Sequence, residues 1–149
     1  MIQRIQSLFL LLASGSCFSL LALPFATSTG EVGESVLFAD DSIYNVQDDM
    51  LLLAPFAIAG LMTLVAIFLF NNRKLQINIS RIAAVIMLVG IIVAILFFTQ
   101  DMKLQSDTMK VVDGFGLYTP ILGFILTLLG VRYIQKDEKL VRDSYDRLR

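Results

Sequence analysis

Apolar residues in this chain come in blocks rather than in strict alternation. Ile5 to Gly30, Met50 to Asn72, Ile82 to Gln100 and Gly114 to Val131 contain no Asp, Glu, Lys or Arg. Each block holds about 18 or more mainly apolar residues, which at 1.5 Å per residue is roughly what an α-helix needs to cross a 30 Å hydrocarbon layer. The pattern predicts an all-α membrane protein of four transmembrane helices in an antiparallel bundle, with spans over about 5–26, 50–71, 82–100 and 114–133. The intervals are an outer loop at 27–49, an inner loop at 72–81, an outer loop at 101–113 and a helical tail at 134–149. The longest of these is too short to enclose a core of its own, so the chain reads as a single membrane domain.

Finer signals sit inside the blocks. The first span carries Ser14, Gly15, Ser16, Cys17 and Ser19, small residues that let helix backbones approach closely. In the first outer loop, the β-prone runs Glu34 to Ala39 and Ser42 to Val46 flank Asp40-Asp41 and admit a short β-hairpin. Asp48 and Asp49 suit the start of the second helix. Pro55 leaves two readings open, a start nearer Leu53 or a kink within the helix. Gly90 and Ala94 give the third span a small-residue seam. Gly116, Pro120, Gly123, Thr127 and Gly130 recur at intervals of four and three in the fourth, on one face, a pattern suited to helix packing. No helix breaker follows Val131, so the fourth helix should run on as the tail, with Ile134, Val141, Tyr145 and Leu148 forming a thin apolar stripe.

Charge converts the count of spans into an orientation. The N-terminus, the 72–81 loop and the tail hold Arg4, Arg73, Lys74, Arg81, Arg132, Lys136, Lys139, Arg142, Arg147 and Arg149, ten of the twelve basic residues. The opposite side holds Lys103 and Lys110, and its first loop is acidic. Lys and Arg in short loops favour the cytoplasm, which predicts a multi-pass membrane protein with both termini inside. One charge before a long apolar run favours a retained first span over a cleaved leader, a reading that charge alone leaves open.

The remaining composition mainly excludes. With 56% apolar residues, 17% charged residues and a net charge of −1, there is no basic field of the kind that binds nucleic acid. A single cysteine, Cys17, forms no intrachain disulfide, and the absence of histidine removes the Cys/His zinc spacings. The spans lack the carboxylates, lysines or histidines on which proton and ion coupling depend. No catalytic, cofactor-binding or metal-ligating set is expected, and the chain reads as a non-enzyme without a cofactor.

Three segments carry a family resemblance: Met1 to Leu12 (MIQRIQSLFLLL), Phe70 to Ile77 (FNNRKLQI) and Ile134 to Arg149, in which KDEKLVR and DRLR are the most specific. On these the chain resembles the small bacterial membrane proteins of domain of unknown function 4293, typical of Bacteroidota. The resemblance implies a four-helix inner-membrane protein and brings no reaction with it. All three segments fall on the side predicted to be cytoplasmic. The expected role is therefore an accessory or scaffold component whose interaction surface comprises Arg4, Arg73, Lys74, Arg81, Lys136, Lys139, Arg142, Arg147 and Arg149. Its expected partners are the lipid bilayer and a membrane or cytoplasmic protein. The alternative is a small oligomeric carrier or lipid-binding protein using the glycine-lined face of the fourth span. Gly90, Ala94, Gly116, Gly123, Thr127 and Gly130 are the expected packing positions, and the sequence leaves the oligomeric state open.

Overall fold

A computed structural model describes residues 2–29, 42–104 and 110–146. Its elements, in chain order, are α1 (Ile2–Ser19), β1 (Ala26–Thr29), β2 (Ile43–Tyr44), α2 (Met50–Phe68), α3 (Arg73–Leu104), β3 (Lys110–Asp113), a 3-10 turn at Phe115–Leu117, and α4 (Thr119–Asp146). Three helical stretches, Met50–Phe68, Arg73–Gln100 and Phe115–Val141, are long and apolar enough to cross a membrane, while α1 is shorter.

α1 packs on α2 and α4, and α3 packs on the same two helices. The contacts run in opposed order along each pair. Gln6 reaches Tyr133, Leu10 touches Gly130, and Ser16 lies over Gly123. Likewise Arg73 meets Asp137 and Met87 meets Thr127. The helices are apolar outside as well as in the core, and polar hydroxyls are buried among the core side chains. Leu8 and Leu11 of α1, Ile58 and Leu61 of α2, Val85 and Val89 of α3, and Leu122 and Ile125 of α4 are exposed, whereas Ser14, Thr63, Ser80 and Thr127 are buried. Most buried hydroxyls bond to carbonyls, as in Ser14 Oγ to Gly60 O at 2.9 Å and Thr63 Oγ1 to Ala59 O at 3.0 Å. Donors shielded from water must find such acceptors.

Several boundaries depart from the sequence reading. α1 stops at Ser19 rather than continuing to residue 26. Ser19 Oγ turns back to Ser16 O, and the N–H groups of Leu21 and Ala22 reach only three residues back. The helix thus unwinds before Pro24, whose ring disfavours helical geometry at Leu23. The region expected as an inner loop at 72–81 is mostly helix. Asn72 Oδ1 accepts the Leu75 N–H at 3.2 Å, and no Gly or Pro interrupts the residues that follow, so α3 begins at Arg73. α2 begins at Met50, where the Asp49 carboxylate accepts the Leu51 N–H at 2.7 Å, and Pro55 lies inside the helix.

One end of the molecule carries a three-stranded antiparallel sheet with β1 in the centre, in the order β2-β1-β3. The expected hairpin between Glu34 to Ala39 and Ser42 to Val46 has its first arm outside the described residues. β2 falls within the second arm and pairs with β1, Ala26 opposite Tyr44. Beneath the sheet, Phe25, Tyr44, Phe56 and Phe98 form an aromatic cluster with ring centres 5.2–6.3 Å apart. Tyr44 is fully buried, and its hydroxyl donates to Ala94 O at 3.3 Å. Such an anchor satisfies the phenol while its ring fills the core.

Candidate functional site

The opposite end gathers the start of α1, the α2–α3 connection and the second half of α4. Asn72 caps α3 and so sets Arg73 at its first residue, facing α4. There Arg73 Nη1 lies 2.9 Å from Asp137 Oδ2, with both side chains largely covered at 25% and 14% exposure. Nη1 makes no aligned hydrogen bond, so the contact is a close ion pair, and partial burial strengthens its Coulombic attraction relative to open water. A second tie joins α1 to α4. Gln6, buried in an otherwise apolar run, donates Nε2–H to Tyr133 O at 3.2 Å, while Phe9 stacks on the Tyr133 ring at 5.3 Å and 12°.

Around these ties lie the cations. Lys74 and Arg81 on α3 and Arg132, Lys136 and Lys139 on α4 are exposed, whereas Arg73 is drawn against Asp137. The opposed registers of α3 and α4 set Arg81 at about the level of Arg132. Arg132, Lys136 and Lys139 succeed one another by four and three residues, and so share one face of α4. Together with Leu129, Tyr133 and Gln135 they line a surface hollow. Arg4 lies on α1 and Arg142 on α4, with side chains outside the described residues, as are Arg147 and Arg149 altogether. Ile134, expected on an apolar stripe of the tail, is instead fully buried with Leu10, Ala66, Ile77 and Val131. The bundle therefore extends one turn further than the apolar block suggested. Val141 is exposed, and the side chains of Tyr145 and Leu148 lie outside the described residues.

The packing positions fall into two sets. A Cβ on Gly90 would lie 3.0 Å from both the Phe56 ring and Pro55, and Ala94 is buried against the aromatic cluster. Thr127 Oγ1 donates to Gly123 O at 2.8 Å and lies 3.9 Å from Met87 Sδ. The glycine face of α4 is filled by α1, with Gly123 against Ser16 and Gly130 against Leu10. Gly116 is not in that helix. It lies in the 3-10 turn, donating its N–H to Pro24 O at 2.9 Å, and a Cβ there would fall 2.5–2.6 Å from the Pro24 and Leu23 carbonyl oxygens.

Gln6, Tyr133 and Asp137 were not singled out from the sequence. The signal for Gln6 was present, since an amide inside an apolar helix needs an interhelical partner. Asp137 lies in a run of alternating charge, where nothing distinguishes the buried member from its solvated neighbours.

The arrangement offers anion-attracting cations at the margin of an apolar bundle. No curated protein and no solved structure matches the chain. Residues 2–148 match the family described as a domain of unknown function (DUF4293). With that match covering nearly the whole chain, the protein belongs to the DUF4293 family.

Proposed function

We infer that this protein is a four-span component of the bacterial inner membrane, with both termini in the cytoplasm, acting as a non-enzymatic accessory or scaffold through its basic end. The apolar exterior supports immersion in lipid, because a belt of exposed Leu, Ile and Val on all four helices is stable only where the solvent is itself apolar. α1 belongs to that belt, and α1 together with the non-helical segment after it follows α4 from Tyr133, which Gln6 reaches, to the turn before Thr119, which Pro24 reaches. That continuity supports counting this stretch as a fourth span. The gathering of Arg4, Arg73, Lys74, Arg81, Arg132, Lys136, Lys139 and Arg142 on the helical segments at one end supports an orientation with that end toward the cytoplasm.

The observation that carries the functional reading is the exposed cationic face of Lys74, Arg81, Arg132, Lys136 and Lys139, built on a tied and capped framework. Crosslinking in intact cells, followed by purification of the full chain and of a chain ending at Glu138, tests it. The shortened chain keeps Asp137 and its ion pair. Loss of specific neighbours from that form is the expected result, and recovery of an identical set would remove the tail from the interface. Cysteines placed singly at Lys74 and Gln47 should label from opposite sides of sealed membranes.

The carrier alternative draws less support. α1 fills the glycine face of α4, which leaves no open groove along Gly123 and Gly130.

A further inference from the structure

One strip of α4 joins an apolar stretch to a cationic one without a break. Leu122, Ile125 and Leu129 are followed on the same face, at spacings of three and four, by Arg132, Lys136 and Lys139. Leu122 and Ile125 are exposed, as are the three basic residues. The strip covers 17 residue steps, about 25 Å of helix at 1.5 Å per step. At the junction Leu129, Arg132, Tyr133, Gln135, Lys136 and Lys139 line a shallow, open hollow on the surface of α4. The recess has a rigid wall, since Tyr133 is stacked on Phe9 and its carbonyl is held by Gln6.

We propose that this strip is a binding site for an anionic phospholipid, with an acyl chain along Leu122, Ile125 and Leu129 and the phosphate in the hollow among Arg132, Lys136 and Lys139. The match is one of shape and charge together. A phospholipid presents an apolar tail and a phosphate in the order and spacing that the helix face offers. Guanidinium and ammonium groups at the edge of a hydrocarbon layer attract that phosphate more strongly than they would in bulk water. Asp137, the carboxylate next to Lys136, is engaged by Arg73 on α3. Gln135 adds a neutral donor suited to phosphate or glycerol oxygens.

The proposal rests on membrane placement, and the experiment separates the two. The full chain, reconstituted from equal amounts of phosphatidylglycerol and phosphatidylethanolamine, is re-extracted in mild detergent, and the lipids retained are counted by native mass spectrometry. Removal of the bulk bilayer eliminates the general surface potential. The expected result is one phosphatidylglycerol retained in preference. That preference should fall about fivefold for each single change Arg132→Gln, Lys136→Gln or Lys139→Gln, and on the order of a hundredfold for all three. The control K74Q/R81Q removes two exposed cations from α3 at the same end and should keep the preference.

Equal retention by the triple variant overturns the proposal, as does equal loss in the control or displacement by millimolar inorganic phosphate, which would mark a free-anion site. Recovery of the unaltered chain in the soluble rather than the membrane fraction would instead overturn the placement beneath it. All the altered residues are exposed, so an unchanged helical melting profile is the expected check on folding.

Discussion

At the strand end, backbone meets backbone. β1 is paired on both sides, and the N–H groups of Gly114 and Gly116 donate to Phe25 O and Pro24 O at 2.8 and 2.9 Å. At the basic end the ties are made by side chains, Gln6 to Tyr133 O and Arg73 to Asp137. A backbone contact tolerates no added atom, whereas a side-chain contact yields by rotation or by solvation. The strand end is therefore the fixed end. The basic end can change its surface chemistry at small cost, which suits the end that carries the cations.

Substitutions should grade along this difference. Gly116→Val should be the most damaging, with two carbonyl oxygens within 2.6 Å of the new Cβ and no flexible group to move. A loss of about 3 kcal/mol or more is expected, read as a large drop in the temperature at which helical circular dichroism is lost in detergent. A fall no greater than that of Gly130→Ala, which meets side-chain atoms alone, with Leu10 nearest at 3.2 Å, would erase the distinction between the ends. Midway along the bundle, Gly123→Ala places a methyl 2.5 Å from Ser16 Oγ. It should cost about 1–2 kcal/mol, and Ser16→Ala in the same chain should restore most of it.

Arg73→Gln at the basic end should cost roughly 1 kcal/mol, reduced from the value for a fully buried pair because both partners keep some contact with solvent. Asp137→Asn added to it should cost little more, and salt should weaken the native pair but not the double variant. Smallest is Gly15→Ala. Nothing lies within 4 Å of the new Cβ, so a change within about 0.5 kcal/mol is expected.

The helices were legible because apolar blocks announce themselves locally. Asp49 was likewise legible as a cap, being a short acidic residue directly before an apolar run. Helix α1's end was not, because Leu20 to Phe25 is as apolar as the helix it follows, and the stop comes from Ser19 bonding backwards and from Pro24. The sheet was legible only at β2, inside the β-prone run Ser42 to Val46, for a different reason. Its strands are two to four residues long, and β3 is paired through Thr27 opposite Val112, a relation between distant loops that no local pattern records. Among the basic residues, the sequence could not separate Arg73, which meets Asp137, from the exposed Lys74, Arg81, Arg132, Lys136 and Lys139. Gly116 was selected for its spacing with Gly123 and Gly130, while its actual role comes from a turn pressed against the Leu23 and Pro24 carbonyls, past the end of α1.

The pairing of β1 with β3 also orders events in time. Ala26 lies opposite Asp113 and Thr29 opposite Lys110, so β1 emerges from synthesis with three of the four helices still to be made. Until the segment before α4 arrives, one edge of β1 has no strand to accept it, and unpaired edges invite wrong partners. Closure over such a separation carries a large entropic delay. The ladder therefore cannot close before Lys110–Asp113 has been made, and a chain interrupted before Lys110 would leave that edge of β1 without its partner strand.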